Sequence, residues 1–157
     1  MEKINNLDDK EVFLCSNCGR LAPLPKLIGT ENRNHCPFCL WSKHLDLRKA
    51  GDRKSNCKAG MKPIALTFKQ EGKDKWGRLK QGELMLVHKC TSCGKISINR
   101  IAGDDNSYEI LEVWENSQKS ITDLVGQLQK EKIKMLARED KKEIVNQLFG
   151  KDFKMTK

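Results

Sequence analysis

Aromatic side chains are scarce in this sequence: five Phe, three Trp and one Tyr make up 6% of 157 residues, and the hydrophobic share is 38%. That is thin filling for a core of such a chain, and small cores of this kind are supplemented by metals or disulfides. No apolar run approaches the ~18 residues of a membrane-spanning helix. The first ten residues are polar and acidic, with no apolar stretch of the kind an export signal needs. A reducing, cytoplasmic setting is therefore expected, with thiols available to metal rather than paired as disulfides. Phosphate-binding Gly loops, Gly-x-Ser-x-Gly and His-Glu-x-x-His are all missing, which removes the nucleotide-loop enzymes, the serine hydrolases and the zinc proteases that carry them.

What is present is basic charge and cysteine. Thirty Lys and Arg against 21 Asp and Glu give +9 at pH 7, a balance that favours a polyanionic partner such as nucleic acid. If seven thiolates bind two Zn²⁺, the sum falls to about +6, so the surplus is real but moderate, and it is spread along the chain.

The cysteines set the organisation. Three Cys-x-x-Cys pairs occur, Cys15/Cys18, Cys36/Cys39 and Cys90/Cys93, with Cys57 alone. Gly19 and Gly94 directly follow two of the pairs, and Pro37 lies inside the third. Proline fixes φ for a tight turn and Gly supplies a positive φ, so each pair can turn two sulfurs toward one tetrahedral metal. A redox Cys-x-x-Cys has the same spacing, but three such pairs read as zinc knuckles. Seventeen residues separate Cys18 from Cys36, which suits a zinc site of Cys15, Cys18, Cys36 and Cys39. A second site needs Cys57, Cys90, Cys93 and a histidine. His88, two residues before Cys90 and on the same face of a strand, is preferred to His44, and both stay open. His35, beside Cys36, is expected to back a metal site or face nucleic acid rather than ligate.

Arg33-Asn34-His35-Cys36-Pro37 resembles the signature of the RNHCP family of small bacterial proteins, for which no activity is established. The likeness continues through Ser42-Lys43-His44, Gly51-Asp52-Arg53, Cys57, Met61-Lys62-Pro63-Ile64, His88-x-Cys90-x-x-Cys93-Gly94 and the run from Asn99 to Asn106. It covers roughly residues 13–106, and it implies a small cysteine-rich metal-binding domain.

Along the chain, residues 1–11 are expected as a flexible lead-in and 12–106 as the zinc-ribbon domain. Strands are expected at 12–14, 64–68, 83–88 and 95–101, where apolar residues alternate, with 70–82 as a long hairpin connection. Residues 21–25 contain Pro23 and Pro25 and read as extended chain. Residues 107–149 form a helical extension. Ile110, Leu111 and Trp114 mark a first helix after caps at 104–107. Ser120 with Asp123 resembles a capping box, and a stripe of Ile121, Leu124, Val125 and Leu128 is extended by Ile133, Leu136 and Ala137. Asp140 and Glu143 start a last helix that ends at Gly150, leaving 150–157 as a flexible tail. The stripe either packs on the ribbon or docks on a partner.

The fold class expected is thus α+β, a small double zinc-ribbon β core with a C-terminal helical extension and two Zn²⁺ per chain. All seven thiols are committed to metal, so a nucleophilic cysteine is not expected. Arg33, Asn34, His35, Trp41, Lys43, His44, Arg53, Asn99 and Arg100 crowd the knuckles and suit a nucleic-acid face: cations for phosphates, Asn for base edges, Trp41 or Phe38 for stacking. The reading is a non-enzymatic protein binding structured RNA on the ribosome or another ribonucleoprotein. The rivals are a metal-dependent nuclease using His35 or His44 with Asp46, Asp104 or Asp105, and an adaptor that meets a protein through its helices. A scaffolding role would pair Arg53 and Arg100 with Asp52, Asp104 or Asp105 in the interior.

Overall fold

A computed structural model describes residues 12–23, 35–44 and 54–150. The lead-in, the last seven residues, Arg33, Asn34 and Arg53 lie outside the described residues. The fold is α+β. Val12–Leu14 (β1) and Leu21–Pro23 (β2) pair antiparallel as a small ribbon. Ser42–Lys43 (β3), Gly60–Phe68 (β4), Leu84–Cys90 (β5) and Ile96–Arg100 (β6) form an antiparallel sheet in that order. Three helices follow: Ser107–Lys119 (α1), Ile121–Lys130 (α2) and Lys141–Phe149 (α3).

The sheet is the middle layer, because its two central strands are apolar on both faces. Leu66 and Leu86 stand opposite each other, as do their neighbours Ala65 and Val87, and successive residues on a strand point to opposite sides. Leu66 and Leu86 join Leu40, Leu84, Ile110, Leu111, Trp114, Leu136 and Ile144 in one buried cluster. Ala65 and Val87 meet Leu128, Ile133 and Met135 in another. Thus α1 and α3 share one core with the sheet, and α2 shares the other. The helical stripe is part of the interior.

Pro63 sits inside β4, where a missing N–H would normally break a ladder. It is accommodated because β3 reaches only Met61 and because the pairing with β5 shifts between Pro63 and Ala65, a bulge. Farther along β4, residues 134–136 supply the partner: Leu136 N–H donates to Leu66 O at 3.0 Å, and Thr67 Oγ1 donates to Lys134 O at 2.7 Å. This corrects the expectation that Ile133, Leu136 and Ala137 continue a helix. The helix stops at Lys130, Lys132 takes φ +58°, and the chain runs on as a strap along the sheet.

The first helix starts where expected. Asn106 Oδ1 accepts from Tyr108 N–H at 3.0 Å and Glu109 N–H at 3.3 Å, satisfying donors that the helix leaves unpaired. Ser120, by contrast, makes no side-chain cap. The third helix follows a 3₁₀ turn, Arg138–Asp140, whose Asp140 carboxylate accepts Ala137 N–H at 2.8 Å. It ends on Gly150 at φ +91°.

Candidate metal centres

The three Cys-x-x-Cys segments fold alike. In each, the residue after the second cysteine donates to the first cysteine's carbonyl: Gly19 to Cys15 at 2.9 Å, Leu40 to Cys36 at 2.9 Å, Gly94 to Cys90 at 3.1 Å. The first cysteine then donates to the residue after that, Arg20, Trp41 or Lys95, at 2.8–3.0 Å. All three closing residues have φ between +66° and +76°. Gly19 and Gly94 adopt that region freely. Leu40 does not, at a cost of roughly 1–2 kcal/mol. Its side chain is fully buried in the core, which offsets that cost.

The knuckles pair as zinc sites require. Cys15, Cys18, Cys36 and Cys39 converge, and so do His44, Cys57, Cys90 and Cys93, with the ligand atoms of each group within 4.8 Å of one another. Across the first group Cys15 Sγ lies 3.6 Å from Cys39 Sγ, and Cys18 Sγ lies 3.7 Å from Cys36 Sγ. Across the second, Cys57 Sγ lies 3.6 Å from Cys90 Sγ, and Cys93 Sγ lies 3.4 Å from His44 Nδ1. A tetrahedron with Zn–S bonds of ~2.3 Å has sulfur–sulfur edges of ~3.8 Å, and a Zn–N bond of ~2.0 Å shortens an S–N edge to ~3.5 Å. The donor sets therefore fit one zinc each, two per chain. All seven cysteines are free thiols, as zinc binding needs.

Thiol ionisation is uneven. Burial pushes the Cys36 thiol up to about 12, outweighing the backbone N–H groups of Cys39 and Phe38 that favour its thiolate. Burial also raises Cys90, but backbone N–H groups of Cys93 and Ser92, with the Cys93 and His44 side chains, outweigh it and bring this thiol down to about 6. Cys15 is lowered in a similar way, against its own burial, by the N–H groups of Cys18 and Asn17. Each centre thus has one sulfur shifted toward the thiolate, Cys15 or Cys90, beside at least one shifted away from it, Cys36 and Cys39 in the first and Cys93 in the second.

His44, not His88, completes the second centre. His44 N–H donates to Ala59 O at 2.9 Å and its carbonyl accepts from Lys58 N–H at 3.1 Å, so the β3–β4 pairing carries on and holds His44 opposite the Cys57 segment. His88 shares a strand face with Cys90, yet both of its ring nitrogens are engaged elsewhere. Leu40 O can only accept, so His88 Nε2–H donates to it at 2.6 Å. Nδ1 is then the acceptor for the Asn99 amide at 2.8 Å. His88 is fully buried, and burial first, then the nearby His35, lowers its pKa to about 3. It is a neutral interior imidazole that ties β5 to the middle knuckle.

His35 does the same work on the other side of that knuckle. Its Nε2 lies 2.6 Å from Asp105 Oδ2, and both residues are buried. The same carboxylate oxygen accepts Ala102 N–H at 2.8 Å, and Asn106 N–H donates to Pro37 O at 2.9 Å. The start of α1 is thereby fastened to the knuckle. Of the partners considered for Asp105, His35 is the one it meets, and the scaffolding pair with Arg100 does not form. Arg100 is a surface residue, its side chain 53% exposed and 3.4 Å from Glu83.

The residues expected to face nucleic acid therefore separate. His35, His44 and Asn99 point inward to the carboxylate, the metal donors and His88. Trp41 and Lys43 are half-buried and line a cleft of 220 Å³ with Cys15, Asn17 and Gly60, beside the first centre. A Cβ on Gly60 would sit 3.4 Å from the Trp41 ring. The spacing of His88 and Cys90 points to His88 because the two do share a strand face. The signal for His44 was the antiparallel return from β3, which puts it beside Cys57.

In a comparison with protein families, the RNHCP domain model matches residues 10–111, from before β1 into α1. No curated protein and no solved structure matches the chain.

Proposed function

The chain belongs to the RNHCP family, and we propose that it is a non-enzymatic, cytoplasmic RNA-binding protein that works on the ribosome or another ribonucleoprotein. The observation that carries this reading is the closed donor set of both metal centres. Each has four protein ligands, whereas catalytic zinc keeps a position open for water or substrate. The metals then hold the knuckles in place and the work falls to the surface. That surface belongs to a chain of net charge +9, and Arg20, Lys43, Lys58, Lys62 and Lys95 lie within a few residues of the metal ligands.

The proposed face runs over the cleft beside the first centre, with Trp41 against an unpaired base and Lys43 on phosphate. Arg33, Asn34 and Arg53 belong to it on sequence grounds, and Arg100 extends it, since an exposed pair such as Arg100–Glu83 holds its cation weakly. A nuclease built on His35 and Asp105 has less support, because both side chains are enclosed and occupied with fastening α1. An adaptor working through the helical stripe has less support for the same kind of reason: the stripe is core.

Sedimentation of the endogenous protein through a sucrose gradient tests the proposal. It should travel with ribosomal or other ribonucleoprotein particles at low salt and leave them as salt rises. Each phosphate contact contributes a slope of roughly −0.7 to −0.9 in log affinity against log salt. Protein that stays at the top of the gradient at every salt concentration contradicts the reading.

A further inference from the structure

We propose that the connection between β4 and β5, residues 69–82, is a binding site for single-stranded nucleic acid, with Trp76 as a stacking platform and an adjacent lysine-flanked cleft as the path of the backbone. The site is remote from the knuckle face. Both metal centres sit where β4 begins and β5 ends, whereas this hairpin leaves from Phe68 and returns at Leu84. The nine residues of β4, at ~3.3 Å each, separate the two by some ~30 Å.

The hairpin has a defined shape. Asp74 Oδ1 accepts from Trp76 N–H at 2.8 Å and Arg78 N–H at 3.0 Å, and Asp74 N–H donates to Arg78 O at 2.7 Å. Lys73 bridges Leu79, and Lys80 N–H donates to Gly72 O at 3.0 Å. At the neck Lys69 N–H donates to Glu83 O at 2.8 Å. A Cβ on Gly82 would fall 1.7 Å from Lys69 O, so only glycine closes the neck. Gln147 of α3 clamps it, accepting from Leu84 N–H at 2.7 Å and donating to Gly82 O at 3.0 Å.

This ordered loop displays Leu79 at 81% exposure and Trp76 at 69%, the two most exposed large apolar side chains among the described residues. Neither contributes burial to the fold. Around them stand Lys69, Lys73, Lys75 and Lys80, together with Arg78, whose Nε lies 3.4 Å from Asp74 Oδ2; Glu71 is the other acidic side chain of the loop. Lys75 Nζ lies 5.0 Å from the Trp76 ring centroid. Beside the loop opens a cleft of 510 Å³ with Phe68, Leu79 and Leu136 on its apolar side and Lys69, Lys80 and Lys134 among its cations. Glu71 and Asp140 also line it, the latter with its carboxylate on Ala137 N–H.

An exposed ring, apolar concavity and flanking cations are the parts with which proteins hold unpaired strands: bases stack, and the backbone follows positive charge. A lipid surface also attracts Trp and Lys, but it favours a broad apolar helix face, and here the hairpin exposes only two large apolar side chains, Trp76 and Leu79.

The inference rests on the nucleic-acid reading above and names a second surface, so the test separates them. Zinc-loaded full-length protein is titrated into a labelled oligouridylate at low salt, and affinity is read by anisotropy. Trp76→Ala should weaken binding about tenfold, within the range of one lost stacking contact, while Trp76→Phe keeps most of the affinity. Replacing Lys69, Lys80 and Lys134 together by Ala should make the salt slope shallower by roughly 2, at ~0.7 per phosphate on a single strand. Zinc content and thermal melting should not move. Wild-type affinity and slope in both variants, with loss on Lys43→Ala, would overturn this site and leave the knuckle face standing. Absence of oligonucleotide binding by the wild type would remove both. Trp76-dependent sedimentation with anionic vesicles, alongside Trp76-independent oligonucleotide binding, would overturn the choice of occupant.

Discussion

His35 Nε2 lies 2.6 Å from Asp105 Oδ2, and this contact joins two buried residues 70 positions apart. One belongs to the middle knuckle and the other to the turn that caps α1. With His88 on Leu40 O and Asn99 on His88, it forms a polar layer between the metal-binding half of the chain and its helices. Asp105→Ala leaves the His35 N–H and Ala102 N–H without acceptors, at roughly 1–3 kcal/mol for each orphaned group. Urea unfolding of the variant should show a loss of ~2–5 kcal/mol, with two zinc ions still bound at neutral pH. An unchanged midpoint contradicts this role.

The two remaining histidines predict opposite phenotypes. His44→Ala should release one zinc per chain and leave the other. His88→Ala should keep both, yet lower stability by ~2–4 kcal/mol, because Leu40 O loses its donor and a cavity opens in the core. Elemental analysis beside a melting curve distinguishes them, and reversed outcomes would restore His88 as the ligand.

Leu40 makes a separable prediction, since it combines an unfavourable φ with complete burial. Leu40→Gly relieves the backbone but empties a core position, and Leu→Ala truncations alone cost ~2–5 kcal/mol. The net effect should be destabilising by ~1–4 kcal/mol after the backbone gain. Gly94→Ala, with only strain to add at φ +76°, should cost about 1–2 kcal/mol. A stabilised Leu40→Gly would show that the side chain does not offset the strained turn.

The three knuckles, the β4–β5–β6 meander and the first and last helices were legible because their signals are local: Cys spacing with Gly after it, alternation, an Asn cap, a terminal Gly. Three things were not. The strap over 133–136 was read as helix although Ile133 and Met135 are buried and Lys132 and Lys134 exposed, a period of two that Leu136 and Ala137 obscure. The destination of His44 depends on where a two-residue strand pairs. His35 and Asn99 were read as part of a surface, whereas inside the fold His35 bonds to Asp105 and Asn99 to His88. Which polar residues face inward depends on tertiary pairing, and composition around a motif carries no information about that.

Metal binding should depend on pH in a stated direction. With its thiol pushed up to about 12, Cys36 is protonated in the metal-free fold at neutral pH, so loading the first centre must expel that proton. In the second centre Cys90, at about 6, is already largely thiolate. As pH falls from about 8 to about 6.5, zinc affinity should therefore drop at both centres and more steeply at the four-cysteine one. Competition with a chelator across that range, using His44→Ala to isolate the first centre, checks the order. A steeper fall at the His44 centre contradicts it.

The central claim is that both metal centres are closed by protein donors and that His44 supplies the eighth. X-ray absorption at the zinc edge of the fully loaded protein tests it most directly. The account predicts two zinc ions whose combined shell is seven sulfurs at ~2.3 Å and one imidazole nitrogen at ~2.0 Å, with the imidazole signal lost on His44→Ala and kept on His88→Ala. A light-atom shell larger than one imidazole per two zinc ions would reveal an open, water-bearing position, and with it the catalytic chemistry that this account assigns to neither site.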